Sequence, residues 1–202
     1  MMQAVPMLED VTAIVLAGGR SSRFGSDKLA FEVDGRPMLD LAIAAVAAVT
    51  SRVVLALAPG VAAPATLEAT NLAIAHDPTA YDGPLAGLAA ALAGVDTPVA
   101  LVVAGDMPRM VPAVLQRLAL TVGPGRSVVN LEVPRRIQPL PMAVSVEAVR
   151  PAATALLERG ERSLRSLLVE LGATSIPAPV WLSLDPAGST ILDLNRPGDL
   201  RG

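Results

Sequence analysis

Residues 13–28 read AIVLAGGRSSRFGSDK, an apolar run that stops at Gly18-Gly19 and gives way to Arg20, Arg23, Gly25 and Lys28. Adjacent glycines let backbone amides approach a ligand without side-chain obstruction, and successive amides in a turn form a concavity for an anion. Arg20, Arg23 and Lys28 add full positive charge to it, which suits a triphosphate. Lysine and arginine total 16, yet Lys28 is the one lysine. A compact ammonium on a flexible stem acts as a point charge on phosphate oxygens, where a planar guanidinium fits less well. The plainer alternative is a tight turn with a solvated basic rim. Neither of two better-known phosphate loops is present. Gly25 is followed by Ser26-Asp27-Lys28 rather than the Gly-Lys-Ser/Thr of a Walker A, and adjacent glycines do not make a G-x-G-x-x-G fingerprint.

A second constellation is VALVVAGDMP, which sets Asp106 just beyond a strand-length apolar run. Ligands of open α/β sheets bind outside the carboxyl ends of strands, and a carboxylate there can share Mg²⁺ with substrate phosphates. A helix cap or an Asx turn before Pro108 is the alternative. The third stretch is HDPTAYDGPLAGL, where Asp77 follows another run and Asp82 precedes a helix. Either can accept from a nucleobase or ribose, and either can cap. His76 is the sole histidine. Phosphoryl-type transfer needs positioning and charge stabilisation more than a base, so His76 is read as structural or solvent-facing, and Trp181 and the methionines as packing. The arginines of ERGERSLRSLL space as a solvated helix face, with Arg162 or Arg165 able to touch an acidic substrate.

Elements must hold these groups at one place. Apolar runs at Thr12–Leu16, Arg52–Leu57, Asn71–Ala75 and Val99–Ala104 are continuous rather than alternating, the pattern of parallel strands covered by helices. Between and after them lie helix-prone segments at Met38–Val49, Pro64–Ala69, Pro84–Ala93 and Val111–Leu120. Pro84, after Gly83, suits a first helical position. Further strands are expected at Ser127–Leu131, Leu140–Val144 and Thr190–Leu194, and helices at Val146–Glu158 and Leu164–Leu171. Strand alternating with helix predicts an α/β protein, a three-layer α/β/α doubly wound and mostly parallel sheet. The expected organisation is one domain over 1–202, with a nucleotide-binding half near 10–122 and an acceptor-side half near 123–202.

Bulk properties exclude several classes. The chain is 52% hydrophobic and only 2% aromatic, so alanine, valine and leucine must do the packing. Mean hydropathy is +0.52, but the longest apolar stretch, Leu39–Leu57, is broken by Thr50, Ser51 and Arg52, short of the ~20 residues a membrane span needs. MMQAVPMLED at the start lacks the basic region of a secretory signal. No cysteine is present, which removes disulfides and thiolate metal sites and suits a reducing cytoplasm. A net charge of −3 with few aromatics argues against a nucleic-acid polymer as partner.

Taken together these residues resemble the molybdenum-cofactor guanylyltransferases (MobA type) within the MobA-like NTP transferases. LAGGRSSRFGSDK at 16–28 is similar to the family's loop L-A-G-G-x-S-x-R-x-G-x-D-K, and GDMP at 105–108 to its metal aspartate and following proline. DGPLAG at 82–87, ERGERSLRSLL at 158–168 and LDLNRPGDL at 192–200 follow as further landmarks in order. The resemblance implies transfer of GMP from GTP to the terminal phosphate of a molybdopterin-type acceptor, with Mg²⁺ and release of pyrophosphate. It implies that Leu16, Ala17, Gly18 and Gly19 meet the nucleotide through backbone. Arg20 and Lys28 would meet its phosphates, Asp77 its nucleoside, and Asp106 both nucleotide and metal, with Asn195 near the acceptor. Arg23, Lys28 and Asp106 would carry the chemistry: attack by an acceptor phosphate in line on the α-phosphorus, with charge on the leaving pyrophosphate stabilised by the loop. Transient contact with cofactor-handling proteins is a further implication. Departures from the family pattern are Ala56 or Ala58 where an asparagine is common, Gln138-Pro139 where His-Pro is common, and Asp193. Alternatives of the same fold are a cytidylyl- or sugar-phosphate nucleotidyltransferase, or a GTP-binding protein without catalysis.

Overall fold

A computed structural model describes residues 6–18, 31–61, 72–76 and 82–194. Nine strands are described: β1 Val11–Leu16, β2 Glu32–Val33, β3 Arg36–Pro37, β4 Arg52–Leu57, β5 Leu72–His76, β6 Val99–Ala104, β7 Val128–Leu131, β8 Met142–Ser145 and β9 Thr174–Ile176. The helices described are α1 Met38–Ala47, α2 Pro84–Leu92, α3 Pro112–Thr121, α4 Val146–Glu158, α5 Leu164–Glu170 and α6 Ala178–Leu182. Seven strands form one sheet in the order β5-β4-β1-β6-β8-β7-β9, and β2 pairs with β3. Strands β5, β4, β1 and β6 are parallel; β8 runs antiparallel between β6 and β7, and β9 is parallel to β7. Strands from both halves of the sequence thus share one sheet.

Both faces of that sheet are covered, which is why its central strands are apolar without alternation. Ala13, Val15, Leu55, Leu101 and Val103 face α1, α3 and Trp181 of α6. Ile14, Val54, Ala56, Ala100 and Val102 face α2, α4 and α5. The result is the expected α/β/α layering. A smaller cluster of Val33, Met38 and Leu194 seats the β2–β3 hairpin. Trp181 is 2% exposed, and its indole N–H donates to the Glu132 carbonyl at 2.9 Å.

Strands β4 and β6 and helix α4 have the bounds expected from the sequence. Helix α2 starts at Pro84 behind an N-cap Gly83. Its last carbonyls, Leu92 and Val95 beyond it, accept from the Arg150 guanidinium at 2.8 and 2.7 Å, a favourable place for a cation. Asn71 and the expected helix Pro64–Ala69 lie outside the described residues. The strand expected from Leu140 begins only at Met142, behind a cis Leu140–Pro141 peptide, since proline cannot donate to a ladder.

One expectation is overturned. Thr190–Leu194 is not a strand: Ser189–Ile191 form a 3-10 turn and the chain then runs extended without a strand partner among the described residues. The physical cause is that the Asp185 carboxylate takes the Thr190 amide at 2.7 Å, while the Ser189 carbonyl accepts from Leu192 N–H at 3.2 Å. The donors a ladder would need are already committed locally.

Candidate active site

Chain connections leave β1 towards β4 and β5 on one side, then return to β6 on the other. The sheet therefore reverses its order between β1 and β6, and the crevice beyond their carboxyl ends is where doubly wound sheets take ligands. Register fixes what meets there. Leu16 is opposite Ala104, so Gly18 and Asp106 each stand two residues past the last pair, on neighbouring strand ends. The Gly105 amide donates to the Leu16 carbonyl at 2.9 Å, and the Ala17 amide to the Ala56 carbonyl at 2.9 Å. Exits of β4, β1 and β6 are thereby stitched together.

At Gly18 the chain runs close to the β4 exit, with a Cβ fitting at ordinary contact distance. A Cβ there would lie 3.4 Å from the Ala58 amide nitrogen and 3.6 Å from the Leu57 carbonyl carbon, so the β1 exit passes against the backbone of the β4 exit. Asp106 is half-buried. Its backbone carbonyl accepts from the Leu194 amide at 3.0 Å, which brings the described end of the C-terminal landmark, Leu194, to the same edge. Met107 and Met110 sink into the core beneath the loop.

Helix α2 approaches this edge from the other face. A Cβ on Gly87 would sit 3.9 Å from Leu16 Cδ2, so the first turn of α2 lies over the end of β1. Gly83 has φ +90 and ψ 170, a conformation closed to other residues. Asp82 does not cap the helix. Its carboxylate pairs with the Arg162 guanidinium, which also donates to the Leu157 and Glu161 carbonyls at 3.0 Å each. The Arg162 carbonyl in turn accepts from the Leu85 amide at 3.3 Å. Arg162 is thus joined to the DGPLAG turn rather than freely solvated, whereas Arg165 is exposed. His76 is exposed, with Nδ1 3.4 Å from the Ala58 carbonyl oxygen.

Of the residues singled out in the sequence, the structure brings Leu16, Ala17, Gly18 and Asp106 to adjacent strand ends. Gly19, Arg20, Arg23, Lys28, Asp77 and Asn195 lie outside the described residues. Gln138, at one departure from the family pattern, presents its carbonyl to the buried Asn130 amide at 3.1 Å, and Asn130 accepts from Ser175 at 2.8 Å. Asp185 and Thr190 are not among the residues that the sequence singles out, yet both are buried beside this edge. An aspartate before Pro-Ala-Gly-Ser-Thr was the available signal, because such side chains close turns on nearby amides.

Among the described residues no group of three or more His, Cys, Asp or Glu could cage a metal. A carboxylate at a strand end still fits a hard cation that takes one or two carboxylates and fills its other positions with phosphate oxygens and water. No helix among the described residues is long and apolar enough to cross a membrane.

An open α/β sheet whose switch-point crevice joins a glycine turn to a carboxylate defines a nucleotide-handling α/β protein. A family model described as the MobA-like NTP transferase domain matches residues 13–174, and the chain belongs to that family. It is 32% identical to a probable molybdenum cofactor guanylyltransferase of Chloroflexus aggregans, over 98% of this chain and 95% of that one. A protein of the same name from Deinococcus radiodurans is 34% identical over 94% of this chain and 92% of its own. The crystal structure of molybdopterin-guanine dinucleotide biosynthesis protein A from Archaeoglobus fulgidus superposes with a TM-score of 0.79 at 20% identity, covering 94% of this chain and 95% of that one. A 2-C-methyl-D-erythritol 4-phosphate cytidylyltransferase from Thermus thermophilus shares the fold at TM-score 0.69 and 19% identity, over 96% of each chain.

Proposed function

We propose that the chain is a nucleotidyltransferase that moves GMP from GTP to the phosphate of a molybdopterin-type acceptor and releases pyrophosphate. The observation that carries this reading is the register of β1 against β6, which sets the Leu16–Gly18 turn beside Asp106, in a chain whose full-length relatives bear the guanylyltransferase name.

An acceptor phosphate oxygen bonds to the α-phosphorus as the bond to the bridging α–β oxygen breaks, and the electron pair leaves with pyrophosphate. The backbone of Leu16, Ala17, Gly18 and Gly19 meets the nucleotide, the Ala17 amide itself being committed to the Ala56 carbonyl, and Arg20, Arg23 and Lys28 hold the charge that grows on the leaving group. Asp77 faces the nucleoside and Asn195 the acceptor. Asp106 would hold Mg²⁺, which when bound neutralises phosphate charge and aligns the reacting oxygens. No general base is required, because a phosphate is already an anionic nucleophile.

The test is pyrophosphate release by purified protein, with molybdopterin and each of GTP, ATP, CTP and UTP. Turnover with GTP well above the other three is expected. Preference for CTP, or release only with a sugar phosphate as acceptor, would overturn the assignment of base or acceptor. GTP binding without pyrophosphate from any acceptor would overturn catalysis itself.

A further inference from the structure

Asp185 is 3% exposed and Thr190 fully buried. The Asp185 carboxylate accepts from the Ser189 hydroxyl at 3.0 Å and the Thr190 amide at 2.7 Å. Neither donor is a cation, so the buried charge is held by hydrogen bonds alone among the described residues. Its geometric consequence lies on the other side of the turn. With its amide fixed, Thr190 directs Oγ1 inward to accept from the Val111 amide at 3.0 Å, the N-cap residue of α3. Four residues further on, Leu194 N–H donates to the Asp106 carbonyl at 3.0 Å. Segment 190–194 therefore clamps the loop 106–111 at both ends.

We propose that Asp185 is a positioning residue for Asp106, acting through Thr190 and Leu194, so that the strap 185–194 sets the affinity of the site for its divalent cation. The inference rests on the reading of Asp106 as the metal carboxylate. From the sheet side the loop is held by the Gly105 amide on the Leu16 carbonyl, by the Met107 amide on the Ala104 carbonyl at 3.3 Å and by the buried Met107 and Met110 side chains, and the strap holds it from the other side. A displaced strap removes the acceptor at Val111 and the donor at the Asp106 carbonyl together. Groups that hold a ligand in place typically govern metal affinity by about 10- to 100-fold.

The experiment uses the full chain and Mn²⁺ as probe, with binding in the presence of GTP followed by electron paramagnetic resonance. Thr190→Val keeps the shape of the side chain and deletes the acceptor; Asp185→Asn replaces one acceptor by a donor facing a donor; Thr190→Ser keeps Oγ. Thr190→Val and Asp185→Asn should weaken Mn²⁺ binding about tenfold, well below their melting temperatures and with native far-ultraviolet dichroism. Thr190→Ser should bind as wild type. The Mg²⁺ concentration for half-maximal pyrophosphate release should rise in parallel, while the KM for GTP at saturating Mg²⁺ holds. A strap that serves stability alone would lower the melting temperature and leave Mn²⁺ affinity within twofold of wild type, and that result in Thr190→Val overturns the inference while the proposed function stands. Wild-type protein that binds GTP without retaining Mn²⁺ overturns the metal reading and the inference together.

Discussion

Gly83→Ala tests how tightly the DGPLAG turn is locked to the 159–163 loop. Gly83 has φ +90 and ψ 170, a region that costs other residues roughly 1–3 kcal/mol. An added Cβ would also stand 2.8 Å from the Arg162 carbonyl oxygen and 3.0 Å from Arg162 Cβ. That carbonyl cannot simply retreat, because it accepts from the Leu85 amide at 3.3 Å, a bond worth about 1 kcal/mol. The expected loss is about 3 kcal/mol, or roughly 6–12 °C in melting temperature for a domain of this size. Two controls divide the effect. Gly125 has φ +72 with nothing within 4 Å of a built Cβ, so Gly125→Ala measures backbone conformation alone, about 1–2 kcal/mol. Gly94 has open space and no positive φ, so Gly94→Ala should fall within about 0.5 kcal/mol of wild type. Urea unfolding gives all three values, and the KM for GTP should rise in Gly83→Ala, since the first turn of α2 lies over Leu16. Equal losses in Gly83→Ala and Gly125→Ala would refute the collision with Arg162 as a constraint on that turn.

Lys28→Ala and Asp106→Ala should each lower pyrophosphate release by about a hundredfold, the worth of one preorganised charge contact of roughly 3 kcal/mol, with unchanged far-ultraviolet dichroism; wild-type turnover in either removes that residue from the chemistry. Burial pushes the Asp185 carboxyl up, but hydrogen bonds from Thr190 and Ser189 outweigh it and hold the net value below the usual carboxylate range. Its stabilisation is therefore complete above about pH 4 and lost as pH falls through the lowered folded value, so the stability gap between wild type and Asp185→Asn should narrow in acid; a gap constant from pH 7 to pH 2 in urea titrations would contradict the assignment. The Asp82–Arg162 pair is half-exposed, and a double-mutant cycle should give a coupling of no more than about 1 kcal/mol in stability, a larger value meaning that the pair is more shielded than its surface position indicates.

Much of the fold was legible because burial on both faces leaves a simple trace. RVVLAL and VALVVA are runs with no polar interruption, and the observed strands have the expected bounds. Proline and glycine punctuate the helices as their chemistry requires, with Pro84 and Pro112 at first helical positions. Elements set by few residues left no such trace. Strands β2 and β3 are two residues each and β9 three, too short for any period to register. Thr190–Leu194 carried β-branched and alternating residues and still did not pair, since a carboxylate five residues upstream captured the amide a ladder needed.

The candidate site divides along the same line. Strand ends are placed by the core, so a glycine turn after β1 and an aspartate after β6 are brought together by register alone, and sequence reading could see both. Some of what supports this edge is remote: Thr190 reaches Val111 at the end of the Asp106 loop across 79 positions, and Arg162 reaches Asp82 of the DGPLAG turn across 80. No local period encodes such a contact, and hydrogen-bond partners that distant become visible only once the chain is folded. The consequence for the chemistry is asymmetric. The sheet dictates that the Leu16–Gly18 turn and Asp106 share an edge, whereas the segments beside them are tied down by the strap 185–194 and by Arg162.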